Sequence, residues 1–287
     1  MTDPMTAESG YAQLGDLRMY YEQHGVRADG GEPLVLLHGG LFDIEQQFGA
    51  LLPRLAENRL VVAVDFQGHG RTNDIDRPFG SAAFAGDVIG VLDLLGIERA
   101  DVFGFSVGGA VAIELAVRHP DRVRRLVASS VSFRATGMRG HDNADAVGSM
   151  TVDMIAGTPM EQSYLAKSPH PDRDHLQRLL DKLGATYTGG FPDWTEDDIR
   201  GIAAPTLITV GDADMVSLDH AVEFLRLRGG DVNGDFDGLP ASQLAVFPGT
   251  THFFGLAHTE LVLAAVLPFL DAQEAGPAAI DPDGASA

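Results

Sequence analysis

The sequence Gly104-Phe105-Ser106-Val107-Gly108 joins an apolar run, Ala100 to Phe105, to a helix-like run, Val107 to His119. A Gly-x-Ser-x-Gly motif between a buried strand and a helix is typical of the nucleophile elbow, a sharp turn that raises a serine hydroxyl above the edge of a sheet. The glycines are needed because side chains at those positions would collide with the neighbouring strand and helix. The motif therefore predicts a covalent serine enzyme with Ser106 as nucleophile.

The order of polar residues after the elbow fits a Ser-His-acid triad. A serine hydroxyl needs a histidine to take its proton, and the histidine needs an acid to fix its tautomer. In hydrolases with this elbow the chain order is serine, acid, histidine. The strand-like run Pro205–Val210 precedes Gly211-Asp212-Ala213-Asp214, and a second run, Gln243–Phe247, precedes a loop that ends in His252. His252 is the predicted base, and either aspartate is a candidate for the acid.

An earlier loop supplies candidates for the oxyanion hole. This site needs two backbone N–H groups, one from the residue after the nucleophile and one from an earlier strand–helix loop. The run Leu34–Leu37 followed by His38-Gly39-Gly40 fits that loop. We expect the amides of Val107 and Gly40 to bind the oxyanion, with Leu41 as the alternative second donor.

Six segments together resemble the α/β-hydrolase superfamily, and the resemblance extends from about Leu17 to Leu270. The segments are His38-Gly39-Gly40, Asp65–Thr72, Gly104–Gly108, Arg118–Arg122, Gly211–Asp214 and His252. Within the superfamily, the chain is similar to the capped, cofactor-free serine hydrolases, a group that contains small carboxylesterases, lactonases, carbon–carbon bond hydrolases and non-haem haloperoxidases. Relatives that dehalogenate alkyl halides or open epoxides carry aspartate at the elbow, so the serine disfavours those two activities.

The resemblance also bears on the choice of acid. In this family the second aspartate of a Gly-Asp-x-Asp segment faces the histidine while the first braces the loop, which implies Asp214 rather than Asp212. The run Leu126–Val131 contains no Asp or Glu, so an acid after that strand is disfavoured. The implied chemistry needs no cofactor and no metal.

Strands and helices alternate along the chain, the pattern of a doubly wound sheet. With the resemblance, it predicts an α/β-hydrolase fold, a mostly parallel sheet with a small helical cap inserted after the sixth strand. The core would span 11–131 and 201–271, the cap 132–200, and flexible tails 1–10 and 272–287. The predicted elements are a hairpin at Tyr11–Gln23, strand Leu34–His38, helix Ile44–Ala56, strand Leu60–Phe66, helix Ser81–Leu95, strand Asp101–Phe105, helix Val107–Arg118, strand Arg125–Val131, cap helices Asn143–Ala156, Met160–Lys167 and Asp172–Leu183, strand Thr206–Val210, helix Leu218–Leu227, strand Gln243–Phe247 and helix Phe254–Leu270.

Composition limits the partners and the location. With 287 residues, 45% of them hydrophobic, the chain can bury one large core. The formal charge of −21 argues against binding to nucleic acid or to an anionic membrane surface. The absence of cysteine excludes disulfides and thiolate metal sites. The first ten residues carry no secretory signal and no run reaches the length of a membrane span, so a cytoplasmic protein, as a monomer or a homo-oligomer, is expected.

The motifs predict hydrolysis of a carboxylic ester or lactone of a small, largely apolar substrate through an acyl-enzyme. Two alternatives keep the same triad: cleavage of a carbon–carbon bond, and peracid formation that gives haloperoxidase-type activity. An alternative of another class is a non-catalytic ligand-binding protein on the same fold, because a fold does not establish a function.

Overall fold

The computed structural model describes residues 8–27, 31–140, 149–188 and 193–272, and within them eight strands form one sheet. The strands are β1 (Glu8–Leu14), β2 (Leu17–His24), β3 (Leu34–Leu37), β4 (Val61–Val64), β5 (Ala100–Phe105), β6 (Val123–Ser129), β7 (Thr206–Ala213) and β8 (Gln243–Thr251). Their order is β1-β2-β4-β3-β5-β6-β7-β8. The pairs β1/β2 and β2/β4 are antiparallel and all the others are parallel. The predicted mostly parallel sheet is confirmed.

Helices cover both faces of this sheet. They are α1 (Ile44–Phe48), α2 (Leu52–Leu55), α3 (Ser81–Leu94), α4 (Val107–Arg118), α5 (Pro159–Lys167), α6 (Arg173–Thr188), α7 (Glu196–Arg200), α8 (Leu218–Leu227), α9 (Gly234–Asp237) and α10 (Thr259–Asp271). One buried cluster joins the sheet to α3, α4 and α8, and a second joins it to α1, α2 and α10. The sheet is therefore the central layer of three.

The strand β3 shows why the central strands read as continuous apolar runs. Val35 and Leu37 pack in the first cluster, whereas Leu34 and Leu36 pack in the second. Side chains alternate between the two faces of a strand, and both faces are covered here, so every position must be apolar.

The prediction of one helix at Ile44–Ala56 is wrong, because the structure has the two short helices α1 and α2. Pro53 lies in the first turn of α2. Proline has no amide hydrogen to donate to the preceding turn, but it is tolerated at the start of a helix. The sequence therefore ends one helix before Pro53 and begins another.

The chain between β6 and β7 contains α5, α6 and α7 and corresponds to the predicted cap; we call its described residues the cap segment. The predicted cap helix at Asn143–Ala156 lies partly outside the described residues, and its remainder forms only a short 3-10 helix at Val152–Ile155. Thr151 is extended at the start of that turn, so the earlier part of the predicted helix does not continue into it. The division into core and cap domains stays a prediction.

Two lysines tie the cap segment to the rest of the chain. Lys167 in α5 lies 2.9 Å from a carboxylate oxygen of the buried Asp43. Lys182 in α6 donates to both carboxylate oxygens of Asp74 at 2.7 Å. Within the described ranges, no helix is both long and apolar enough to cross a membrane.

Candidate active site

Ser106 lies at the turn between β5 and α4 in a strained backbone conformation, with φ 53° and ψ −114°. A positive φ at a non-glycine residue persists only where the surrounding structure enforces it. The flanking glycines allow this packing: a Cβ on Gly104 would lie 2.1 Å from the carbonyl oxygen of Gly108, and one on Gly108 would lie 2.0 Å from that of Leu37. The sequence Gly104–Gly108 thus forms the predicted elbow.

Two neighbouring strands bring the acid and the base together. The sequence pattern ends β7 at Val210 and β8 at Phe247, but the structure continues both strands, and Ala213 pairs with Thr251 after a register shift. Asp214 and His252 are the next residues on the two strands. Their side chains are therefore neighbours because the parallel pairing extends into what the sequence predicted as loops.

The three predicted triad residues form one hydrogen-bonded chain. His252 Nε2 lies 2.9 Å from Ser106 Oγ, and His252 Nδ1 lies 2.8 Å from Asp214 Oδ1. With Nδ1 donating to the carboxylate, Nε2 is free to accept the serine proton. The base is placed within hydrogen-bond reach of the nucleophile, the geometry that general-base catalysis requires.

Asp214 is 2% exposed and yet held as a carboxylate. Burial alone would raise its pKa, but hydrogen bonds from His252, Ser130 and the Val216 amide outweigh burial and lower the pKa below its usual value. Ser130 Oγ donates to Asp214 Oδ2 at 2.6 Å, and the Val216 amide donates to Oδ1 at 3.1 Å. The donors stabilise the negative charge that orients His252.

Ser130 was not singled out from the sequence. It follows β6 at the same edge of the sheet as the triad, with an unusual φ of 48°. Polar residues directly after a buried parallel strand were the available signal, but a pair of serines there does not show which one faces the acid.

Asp212, the other candidate acid, has a different position. It accepts hydrogen bonds from the amides of Thr250 and Gly249, which lower the pKa of its carboxyl group. The Thr250 amide lies 3.1 Å from Asp212 Oδ1. These contacts hold the end of β8 in place, whereas the carboxylate bonded to His252 is that of Asp214.

The two predicted oxyanion donors lie next to each other. A Cβ on Gly40 would lie 3.3 Å from Cγ2 of Val107, so Gly40 lies close to the residue that follows Ser106. Val107 is the first residue of α4, and amides in the first turn of a helix have no partner within the helix. Leu41, the alternative donor, has a φ of 68°. Gly40 and Val107 remain the predicted pair.

Ser106 borders two cavities. The larger has a volume of about 750 Å³ and extends over Val107 and Ala110 towards Phe79. The smaller has a volume of about 260 Å³ and is lined by Gly40, His252 and Phe253. Two methionines between β6 and β7 also reach the cavities, since Met138 lines the larger and Met150 the smaller.

The charged side chains at these cavities are already paired or anionic. Arg77, on the wall of the larger cavity, makes two hydrogen bonds with Asp87, and Lys182 is held by Asp74. Asp76 and Asp181 also line this cavity. No Asp, Glu, Lys or Arg lines the smaller cavity in the part of the chain that the structure describes. The charges at the cavities therefore disfavour an anionic ligand.

The histidines near the elbow have structural partners. His38 Nδ1 lies 2.7 Å from the carbonyl oxygen of Gly39, and its Nε2 accepts from the amide of Phe66 at 3.0 Å. His69 Nδ1 lies 2.9 Å from the carbonyl oxygen of Gln67. Burial lowers the pKa of His38 to about 3 and that of His69 to about 4, so both rings are neutral. In the described ranges, no three His, Asp or Glu side chains cluster as metal ligands.

The chain is similar to known hydrolases in sequence. The profile of the α/β-hydrolase fold family matches residues 32–159. The 2-hydroxymuconate semialdehyde hydrolase of Pseudomonas putida is 29% identical over 84% of this chain and 87% of its own. The pimeloyl-[acyl-carrier protein] methyl ester esterase of Neisseria meningitidis is 28% identical over 85% of this chain and 94% of its own.

Solved structures show the same architecture. The enol-lactonase of Burkholderia xenovorans LB400 aligns with a TM-score of 0.66 and 22% identity, covering 91% of this chain and all of the enol-lactonase chain. The sheet order and the helices on both faces agree with this likeness in fold. The chain therefore has the α/β-hydrolase fold.

Proposed function

We propose that this protein hydrolyses a carboxylic ester or lactone of a small, largely apolar substrate through an acyl-enzyme. The observation that carries the proposal is the hydrogen-bonded chain from Ser106 through His252 to Asp214, with its serine at the border of two cavities. A non-catalytic binding protein would not require a base within 2.9 Å of a strained serine.

The proposed reaction uses each triad group in a defined role. Ser106 Oγ attacks the substrate carbonyl carbon while His252 Nε2 takes the serine proton. The oxyanion of the tetrahedral intermediate accepts from the amides of Gly40 and Val107. His252 returns the proton to the leaving oxygen, and a water activated by the same histidine then releases the acid. Asp214 stays ionised throughout and stabilises the imidazolium.

The charges at the cavities favour an uncharged ester over a carboxylate-bearing substrate. A buried carboxylate needs a cation or several donors to replace its hydration. The cations at the larger cavity, Arg77 and Lys182, are committed to Asp87 and Asp74. The methyl ester esterase of Neisseria meningitidis is a relative whose name agrees with ester hydrolysis.

The test is hydrolysis of methyl butyrate by the purified protein at neutral pH, followed by titration of the acid released. We expect turnover by the wild type and a loss on the order of 10³-fold or more in Ser106→Ala, because the nucleophile is removed. Ser81→Ala is the matched control, since Ser81 lines the larger cavity but is not bonded to His252. Turnover by Ser106→Ala close to that of the wild type would overturn the proposal.

A second experiment does not depend on the choice of ester. Phenylmethylsulfonyl fluoride sulfonylates activated serines, so we expect one adduct on the wild type, located at Ser106 by peptide mass spectrometry. Asp214→Asn should slow the labelling because it removes the orientation of His252. An unlabelled Ser106 in a folded wild-type protein would favour a binding role instead.

Carbon–carbon bond hydrolysis is the second candidate, and its support is the likeness to the Pseudomonas putida hydrolase. It would use the same triad but a substrate that carries a carboxylate, such as the dienoate 2-hydroxymuconate semialdehyde. The paired cations at the cavities argue for slow turnover of that dienoate. A kcat/KM for the dienoate above that for methyl butyrate would make this candidate the better one.

A further inference from the structure

The two cavities differ in which parts of the catalytic machinery they reach. Among the described residues, only Ser106 and Leu183 border both cavities. His252 and Gly40 line the smaller cavity, whereas Val107 lines the larger. The base therefore faces one side of the nucleophile, and most of the available volume lies on the other.

Leu183 lies at the border of the two cavities. It lies in α6 of the cap segment and is 7% exposed. Its Cδ2 would lie 3.1 Å from a Cβ on Gly40, so it reaches across to the oxyanion loop. Its neighbours divide between the cavities, with Lys182 and Ala185 lining the larger and Gly184 lining the smaller.

Acyl transfer fixes which half of an ester lies near the base. The bond from Ser106 Oγ to the carbonyl carbon forms and the bond from that carbon to the alkoxy oxygen breaks. The proton taken from Ser106 passes from His252 Nε2 to the departing alkoxy oxygen, so that oxygen must lie within hydrogen-bond reach of His252. The alcohol half must therefore occupy the side of Ser106 that His252 lines.

Resting on the proposed function, we propose that the substrate is an ester of a bulky apolar acid with a short alcohol, and that Leu183 determines this preference. The alcohol half occupies the cavity of about 260 Å³ beside His252, and the acyl half occupies the cavity of about 750 Å³. The larger volume lies within the range of roughly 300–1,000 Å³ of typical ligand pockets, and the smaller volume lies below it. Leu183 closes the alcohol side against longer chains.

Two isomeric esters test the assignment with the full chain. Methyl octanoate and heptyl acetate have the same atoms and differ only in which half is long. We expect kcat/KM for methyl octanoate to exceed that for heptyl acetate by at least tenfold. Equal rates or a preference for heptyl acetate would overturn the assignment and leave ester hydrolysis intact. Hydrolysis of neither ester, nor of methyl butyrate, would instead remove the proposed function on which it rests.

The role of Leu183 is tested by truncation. In Leu183→Ala the two cavities merge, and we expect the ratio of the two kcat/KM values to fall at least fivefold, through a gain on heptyl acetate. Leu179→Ala is the matched control, because Leu179 is a buried leucine of the same helix that lines neither cavity. An unchanged ratio in a folded Leu183→Ala protein, or an equal fall in Leu179→Ala, would contradict the role of Leu183.

A second variant keeps the proposal testable if Leu183→Ala does not fold. Ala185 is exposed and lines the larger cavity alone, so Ala185→Phe adds volume there without disturbing a packed position. We expect at least a fivefold lower kcat/KM for methyl octanoate and little change for methyl acetate, whose acyl group is short. A loss on both esters to the same extent would show that the long acyl chain does not occupy the larger cavity.

Discussion

Asp212 and Asp214 are two positions apart, but their carboxylates have separate tasks. Asp214 is buried, receives hydrogen bonds from Ser130 and Val216, and lies 2.8 Å from His252. Asp212 is exposed and holds the amide of Thr250. Both carboxyl pKa values are lowered, so both groups are ionised at neutral pH, and position rather than charge distinguishes them.

Exchanging each aspartate for asparagine should separate the two tasks. Asparagine at position 214 favours the wrong tautomer of His252, so Asp214→Asn should reduce kcat on methyl butyrate on the order of 10⁴-fold. Asp212→Asn retains an oxygen that accepts from Thr250 and should change kcat by no more than a few-fold. The measurement is kcat at pH 7.5, with circular dichroism to show that both variants are folded. A larger loss in Asp212→Asn would assign the acid to Asp212.

Residue identities at this site were largely predictable, and their supporting contacts were not. The elbow motif and the chain order of hydrolases that carry it predicted Ser106 and His252, and the resemblance implied Asp214. The structure brings these three residues together. Ser130 escaped prediction because its contact with Asp214 depends on a positive φ that no residue preference specifies for serine. Leu183 escaped because a buried leucine in an amphipathic helix is ordinarily a packing residue.

At the scale of elements, the elbow depends on close backbone contact among three segments. The positions of Gly104 and Gly108 bring β5, α4 and the end of β3 within distances that exclude a Cβ atom. This close packing fixes Ser106 relative to the oxyanion loop that follows β3. The cost of a side chain there should therefore appear in both stability and catalysis.

A single added methyl group tests this contact. In Gly108→Ala the new Cβ would lie 2.0 Å from the carbonyl oxygen of Leu37, so we expect the free energy of unfolding to fall by about 1–3 kcal/mol. Gly86→Ala in α3 is the matched control, since its Cβ meets no atom within 4 Å and alanine is favoured in a helix by up to about 1 kcal/mol. The measurement is urea unfolding at pH 7.5. Equal stabilities of the two variants would mean that the elbow tolerates a side chain.

The boundaries of elements were predicted less well than their existence, for local reasons. The helix predicted at Ile44–Ala56 divides between Phe48 and Leu52, ahead of Pro53, because the proline has no amide to donate to the preceding turn. The strands β7 and β8 continue to Ala213 and Thr251 because each completes the other's pairing. Those extensions contain polar residues, so a sequence pattern applied to each strand separately assigns them to loops.

At the scale of the whole molecule, the buried ionisable groups link stability to pH. Burial lowers the pKa of His38 to about 3, and of His69 and His220 to about 4. In the unfolded chain these histidines would titrate near 6.5. Between about pH 6.5 and pH 4 the unfolded state therefore binds more protons, and stability falls as the pH falls. Asp65 acts in the opposite direction, because burial raises its pKa to about 7.

Replacing His69 isolates one of these contributions. We expect His69→Gln to lose less stability than the wild type between pH 7.5 and pH 5, by about 2 kcal/mol, because the unfolded variant has one fewer proton to gain. Urea unfolding at both pH values measures this difference, and the contribution of Asp65 cancels in the comparison. The same pH dependence in both proteins would show that His69 is protonated in the folded state at pH 5.

Because His252 lines only the smaller of the two cavities, its position also bears on which molecule can react with the proposed acyl-enzyme. In the proposed reaction, departure of the short alcohol leaves the smaller cavity beside His252 open while the acyl chain occupies the larger cavity. The next small molecule to enter that space lies where His252 can take its proton. If that molecule is water, the product is the free acid, and if it is a short alcohol, the product is a new ester. In the proposed reaction, the smaller cavity that admits the leaving alcohol therefore also selects the incoming nucleophile, and Leu183 at its border limits the size of both.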